Sequence, residues 1–353
     1  MSITSLARPE IQALHAYDAA EQVDDTVRLN ANESPAANLS GDFRRPLNRY
    51  PEVRPQRLQA TLARRFGCAS DQLLVTRGSS EAIDLIIRSF CRAGVDSILT
   101  PSPSFSMYRH YAELQAAAVI EVAMDEEQDF AIDVDAMLAA CEEDTKVVFV
   151  CSPNNPTGTP LARADLLRLL AARRDKSLVV VDEAYIEFGE QPSAIDLLGD
   201  YPNLLVLRTL SKALAYAGAR CGAVAGASDV IGLLSAVQAP YALATPVVEC
   251  VEDALAEDQL ELAAAAVREV QRERSRLTAA VAAYDFVSKV WPSDANFFLI
   301  RTAAAAEIVE HCKVHKVLLR HFGGELSDCI RITVGSESDN DALLNALNSF
   351  RKD

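Results

Sequence analysis

Continuous runs of Val, Ile and Leu separated by helical patterns predict an α/β protein. The expected architecture is a large domain with a mostly parallel sheet covered by helices, plus a smaller α+β domain. Three observations carry this. KVVFVCS (146–152) and KSLVVVDE (176–183) contain the uninterrupted apolar runs VVFVC and LVVV, as strands buried on both faces do. LARADLLRLLAARR (161–174), between them, has the length and charge of a crossover helix. The texture changes near residue 245, where a long Ala- and Glu-rich stretch gives way to short strands mixed with helices.

Residues 1–40 contain no clear strand and are expected to form an N-terminal arm, packed on the smaller domain or on a neighbouring subunit. Residues 41–245 make the large domain. DQLLVT (71–76) reads as a strand, and SSEAIDLIIRSFCRAG (79–94) as a helix with acids early and arginines late, as the helix dipole prefers. DSILTP (96–101), AAVIEVAM (117–124), NLLVLRT (203–209) and CGAVAG (221–226) add further strands to the two central ones. Residues 246–353 make the small domain. Helix is expected over about 246–283, charged at helical spacing, followed by the strands DFVSKVW, NFFLIR and CIRITV.

The chain has 353 residues and a net charge of −16, which speaks against nucleic acid as a partner and gives no attraction to an anionic membrane. No run of eighteen apolar residues and no secretory leader is evident. The eight cysteines form no C-x-x-C pair and lie in apolar stretches, as reduced core cysteines do, so a cytoplasmic location is expected. HCKVH (311–315) has helical ligand spacing but no complete metal set, so it reads as a helix leading into KVLLR. DEEQD (125–129) reads as a solvated loop, and Trp291 as core or interface.

Four stretches fall at strand C-terminal ends, where open α/β sheets build their sites. In RGSSEA (77–82), Gly78 permits close backbone approach, and Ser79 and Ser80 either bind a phosphate at a helix N-terminus or simply cap that helix. SPNNPTGTP (152–160) is a turn that also places carboxamides at the sheet edge. VDEAY (181–185) ends a buried strand with Asp182, whose charge needs either a structural cation or a ligand. TLSKALAYAGAR (209–220) sets Lys212 before small apolar residues and Arg220. Each has a bland explanation alone. Together they supply what pyridoxal phosphate requires: a lysine to carry it covalently, a carboxylate for the ring nitrogen, donors for the ring oxygen and a basic, hydroxyl-rich cup for the phosphate. Lys212, Asp182, Asn155 with Tyr185, and Ser79, Ser80, Thr209, Ser211 with Arg220 are those parts.

SPNNPTG, DEAY and TLSKALAYAGAR closely resemble the fold-type I, aspartate-aminotransferase-like enzymes. LNANE (29–33), NRYPE (48–52), PSFSMY (103–108), AGARCG and IRITVG (330–335) narrow the resemblance to the histidinol-phosphate aminotransferases, over about residues 5–350. The resemblance implies that Lys212 holds the cofactor and moves the substrate proton, and that Phe105 stacks on the ring where many relatives have tyrosine. It implies a homodimer in which Tyr50 reaches the cofactor phosphate of the neighbouring subunit. It gives Arg331 as the anion clamp for glutamate and for the phosphorylated substrate, with Arg320, Tyr17 and Asn32 as further substrate contacts. LHAYDAA lacks the proline and glycine that many relatives carry around the N-terminal tyrosine. The expected reaction exchanges an amino group between L-histidinol phosphate and 2-oxoglutarate. An aromatic amino acid aminotransferase and a threonine-phosphate decarboxylase share the cofactor motifs and stay open as alternatives. A cofactor-sensing DNA-binding regulator is disfavoured by the acidity.

Overall fold

A computed structural model describes residues 2–16, 30–34 and 44–350. In chain order the helices are α1 (Pro9–Gln12), α2 (Gln56–Phe66), α3 (Gly78–Phe90), α4 (Met107–Leu114), α5 (Val134–Ala140), α6 (Arg163–Ala172), α7 (Ser228–Val237), α8 (Thr245–Ala254), α9 (Glu257–Ala282), α10 (Ala305–Val314) and α11 (Glu337–Ser349). The strands of the large sheet are β1 (Leu73–Thr76), β2 (Ser97–Ser102), β3 (Ala118–Ala123), β4 (Thr145–Cys151), β5 (Leu178–Asp182), β6 (Leu204–Thr209) and β7 (Gly222–Gly226). Those of the small sheet are β8 (Lys289–Val290), β9 (Phe297–Arg301), β10 (Arg320–His321) and β11 (Cys329–Thr333).

The large sheet runs β1-β7-β6-β5-β4-β2-β3 and is parallel except for β7, which is antiparallel to both neighbours. Its central strands β4 to β7 are buried almost throughout, which is why their sequences are mostly apolar, with the polar residues at the strand ends. Successive residues feed two different cores. Val148, Val150, Val179, Val181 and Val206 pack on one face, and Val147, Phe149, Leu178, Val180, Leu205 and Leu207 on the other. The edge strand β3 is only partly covered and reads less apolar.

The small sheet is antiparallel, in the order β10-β11-β9-β8. Phe298, Ile300, Ile330 and Ile332 turn toward α9, α10 and α11 and form a core of their own. Phe297 and Leu299 alternate to the opposite face and join the cores of the large sheet. Arg331, on β11 between Ile330 and Ile332, takes that same face.

Four features differ from the sequence reading. The helical stretch after residue 245 is two helices, α8 and α9. KVLLR pairs only at its last residue, and Leu318 is exposed. The DEEQD loop is ion-paired, not merely solvated: Glu126 bonds Arg301, and Asp129 lies 2.9 Å from Lys289, so the loop ties the large sheet to the small one. Local charge counting reads such a loop as solvent-facing because its partners lie more than 150 residues away. The start of the N-terminal arm, expected on the smaller domain or a neighbouring subunit, packs instead on the large-sheet side of its own chain, because its apolar Ile3 and Ala7 enter the core beside α3, and Arg8 N–H donates to Ser89 O at 2.9 Å. Trp291 is buried against Phe130. His311 bonds Ala346 O within the α10–α11 packing, and among the described residues no cluster of His, Cys, Asp and Glu has metal-site geometry. All eight cysteines are unpaired, and no described helix is long and apolar enough to cross a membrane.

The core beneath the C-terminal end of β4 is tightly filled. Phe149 has no exposed surface and stacks on Tyr108 at 4.7 Å. Phe149→Ala is therefore expected to cost about 3–5 kcal/mol of stability, read by denaturant unfolding. A loss below about 1 kcal/mol would mean that this core relaxes far more than its packing implies.

Candidate active site

The C-terminal ends of β4, β5 and β6, with the start of α3, enclose a cavity of about 140 Å³. It is lined by Ser79, Ser80, Phe105, Cys151, Asn155, Asp182, Ala184, Tyr185, Thr209, Ser211, Lys212 and Arg220. Ten of these are residues singled out from the sequence. Strand alternation explains the selection. Cys151, Asp182 and Thr209 end three adjacent strands on the same face. Arg208 turns to the opposite face, over the ring of Phe66 at 4.6 Å.

The two acids of VDEAY are split in the same way. Glu183 accepts from Ser193 Oγ at 2.5 Å and Ala194 N–H at 2.6 Å, and it faces Arg208 at 3.5 Å. Asp182 goes to the cavity floor, where it is 2% exposed. It accepts from Tyr108 Oη at 3.0 Å and Ala184 N–H at 3.1 Å, and among the described residues it has no ion-pair partner. Burial pushes its carboxyl up to about 6, against the opposing pull of those donors and of Lys212. A carboxylate so placed can accept a hydrogen bond from a cationic N–H.

The wall beside it is built from glycine and hydroxyls. α3 is not capped by a serine: Glu81 reaches back to accept from Arg77 N–H at 2.6 Å. Ser79 and Ser80 are therefore left to line the cavity, and the plain capping alternative falls away. Thr209 Oγ1 donates to Ser211 Oγ at 3.0 Å and accepts from Ser211 N–H at 3.1 Å. Arg220 sits in left-handed backbone (φ +51°) and, among the described residues, has no carboxylate partner. Gly78 has φ +74°, and a Cβ there would lie 2.9 Å from Arg220 Nη2. A guanidinium, hydroxyls and a helix N-terminus converge here, a suitable cradle for a dianion.

Lys212 stands at the opening, its Nζ 5.4 Å from the Tyr185 ring centre. Burial of its amino end, then the Arg331 and Arg220 charges, lower its ammonium pKa, while Asp182 opposes. Tyr185, Asn155, Phe105 and Lys212 line both this cup and an adjoining cleft of about 730 Å³ that also takes in Arg320 and Arg331. Asn154 is structural, donating to Pro103 O and Thr157 Oγ1 and accepting from Ser104 Oγ. Asn155 is not: its Nδ2 lies 3.4 Å from Tyr185 Oη, and its Oδ1 accepts from Arg331 Nη1 at 2.6 Å. That bond joins the small sheet to the cup. Gly158 (φ +80°) lets the incoming Ser293 segment pass, since a Cβ there would meet Ser293 Oγ at 2.1 Å.

Other predicted residues lie elsewhere. Tyr50 is half exposed, stacks on Tyr241 at 4.7 Å, and borders a separate surface cavity of about 250 Å³ with Arg45, Arg49 and Arg57. Asn32 is exposed and lines neither the cup nor the cleft. Tyr17 falls outside the described residues. Tyr108 was missed: only its presence in PSFSMY, three residues after Phe105, hinted at it.

Gly78→Ala should place a side chain in unfavourable backbone and displace Arg220. The expected loss is about 1–2 kcal/mol in thermal unfolding, together with a roughly tenfold weaker affinity for pyridoxal phosphate. Unchanged affinity would show that this cradle is not where the anion binds.

Comparison with known proteins agrees with this geometry. The family model for aminotransferase class I and II matches residues 17–347. A histidinol-phosphate aminotransferase of Xanthomonas euvesicatoria is 41% identical over 352 residues, 98% of this chain and 97% of its own. The solved L-threonine-O-3-phosphate decarboxylase of Porphyromonas gingivalis superposes with a TM-score of 0.73 at 26% identity, over 86% of this chain and 91% of that one. The histidinol-phosphate aminotransferase of Sinorhizobium meliloti, solved in complex with pyridoxal-5'-phosphate, shares the fold with a TM-score of 0.77 at 22% identity, over 85% of this chain and 82% of that one. This chain belongs to the class I and II aminotransferases.

Proposed function

We propose that the chain is a histidinol-phosphate aminotransferase of L-histidine biosynthesis. It would exchange an amino group reversibly between L-histidinol phosphate and 2-oxoglutarate, in turn at one site. The observation that carries this is the union of cup and cleft: Lys212, Asp182 and Arg220 in one, Arg331 and Arg320 in the other, with Asn155 and Tyr185 between. The 41% identity to the Xanthomonas enzyme over nearly the whole chain supports the substrate.

The cup fits pyridoxal phosphate. Asp182 is a buried acid awaiting a cation, and Arg220 a cation awaiting an anion beside a glycine that must stay small. Asp182 would meet the ring nitrogen, Tyr185 and Asn155 the ring oxygen, and Phe105 the ring face. Ser79, Ser80, Thr209, Ser211 and Arg220 would hold the phosphate. When bound, the cofactor supplies an electron sink that makes the substrate Cα–H acidic. The Lys212 amine, favoured over ammonium by its surroundings, is the residue to hold the cofactor and to carry the Cα proton. Arg331, held by Asn155 Oδ1 and lying 5.1 Å from the Phe297 ring centre, presents its remaining donors to the carboxylate of one substrate or the phosphate of the other. Arg320 adds a second positive charge. Tyr17 and Asn32 would close over the substrate.

The reading includes a homodimer. A half-exposed Tyr50 bordering an arginine-lined surface cavity supports its reaching the partner's cofactor phosphate. Eight free cysteines support a reducing, cytoplasmic setting. The arm at 1–40 and the division at 245 are part of the same reading, with the two sheets lying on either side of that boundary.

Lys212→Ala is expected to lower steady-state transamination by about a thousandfold or more, and borohydride should fix the cofactor to Lys212 in the parent protein. Near-normal turnover by the variant would overturn the assignment. Single-turnover rates with histidinol phosphate, phenylalanine and threonine phosphate should rank histidinol phosphate first in kcat/KM, and a wide margin for either competitor would replace the substrate.

A second test uses the buried charge. Asp182 rises from an ordinary 3.8 to about 6, so the folded protein prefers it neutral. Its ionisation costs stability that accumulates as pH rises from about 4 to 6 and persists above. In cofactor-free protein, Asp182→Asn should therefore gain up to about 3 kcal/mol at pH 7 and little at pH 4, while losing affinity for pyridoxal phosphate. A variant less stable than the parent at pH 7 would contradict the buried-charge account.

A further inference from the structure

Tyr108 has no part in the reading above, yet it has no exposed surface and its hydroxyl is aimed at the cup floor. It lies in the first turn of α4, where Phe149 stacks on its ring at 4.7 Å and 11°, and Phe105 meets it edge-on at 5.6 Å and 85°. Tyr108 Oη donates to Asp182 Oδ2, and Ala184 N–H donates to Oδ1. Each carboxylate oxygen thus has one protein donor, and the group cannot swing without breaking a bond. Space filling alone calls for phenylalanine, because a hydroxyl taken out of water is unfavourable unless paired.

We propose that Tyr108 is a positioning residue for the reaction, holding the Asp182 carboxylate in one orientation and bracing Phe105, so that the floor and one wall of the cup share a single support. This rests on the cofactor reading given above. The hydroxyl stays protonated, since burial, then the Asp182 charge, hold its pKa well above the ordinary value. The ionisable groups around Asp182 are Tyr108 from α4, Cys151 from β4, Tyr185 after β5 and Lys212 after β6. Among the described residues, Tyr108 is the side chain that hydrogen-bonds it.

The test is Tyr108→Phe in the full chain, which removes one oxygen and keeps the ring. Infrared titration of isotope-labelled aspartate in cofactor-free protein, with Asp182→Asn identifying the band, should place the Asp182 carboxyl about one pH unit higher in the variant. Equilibrium dialysis should show pyridoxal phosphate binding roughly tenfold more weakly. The same change should have little effect on affinity in an Asp182→Asn background. A purely structural tyrosine would leave the carboxyl titration where it was, and that result in a folded variant overturns the proposal. Fluorotyrosine at position 108 keeps the packing and strengthens the donor. It should move the titration downward, and an unmoved titration there overturns the proposal even if Tyr108→Phe does not fold. A parent protein that binds no pyridoxal phosphate at all would refute the cofactor reading instead, which the ligand-free titration distinguishes.

Discussion

The buried carboxylate of Asp182 is the constraint around which this structure is arranged. An acid at the end of a central strand, with hydrophobic residues behind it, is buried and among the described residues has no ion-pair partner. In a protein with no ligand, replacing it with an apolar residue would be an improvement. Its neighbours compensate only in part: a tyrosine hydroxyl and one backbone N–H offset some of the lost hydration, and Lys212 acts from a distance. On the proposed reading, stability is thereby lowered in favour of cofactor affinity. The same logic holds at the opposite wall, where among the described residues Arg220 has no carboxylate partner and Gly78 is kept small beneath it.

Much of the large sheet was legible in the sequence because its central strands are covered on both faces. Full coverage demands apolar residues at every position, a signal that needs no knowledge of the partner strand. The cup was legible for a related reason. Parallel strands end together, so the chemistry-bearing residues follow directly on the apolar runs: Asp182 on β5, Asn155 after β4, Lys212 after β6. Individual motifs stayed ambiguous until the geometry decided between their uses. Ser79 and Ser80 could have been caps, and they are not, because Glu81 takes that role from four residues beyond Arg77. Asn154 and Asn155 look equivalent as letters, but one closes the turn and the other faces the cup.

What stayed hidden depends on contacts between distant segments. Tyr108 donates to a residue 74 positions away, and nothing local distinguishes its hydroxyl from any other. The acidic loop at 125–129 reads as solvated until Lys289 and Arg301 are brought against it by the small sheet. KVLLR has the composition of a strand but little partner to pair with, so only Arg320 joins β11. Composition cannot report the absence of a neighbour.

The division between the two sheets also divides the chemistry. Every residue proposed to touch the cofactor ring or phosphate within one chain comes from the large sheet or the segments leaving its strands, so on that reading the reaction type would be set by the two-face-covered scaffold. The proposed anion clamps come from the small sheet, and the two-residue alternation of β11 sends Ile330 and Ile332 to its own core and Arg331 to the cleft. The two halves meet at the Asn155 carboxamide, which accepts from Arg331 and lies against Tyr185. An anion arriving at Arg331 must share that guanidinium with Asn155, and Asn155 is in turn proposed to hold the ring oxygen. On the proposed reading, recognition of the substrate's charge would be mechanically connected to the group that orients the ring. The glycine at 158, which admits the segment leading into β9, is what allows the small sheet to come close enough for that connection.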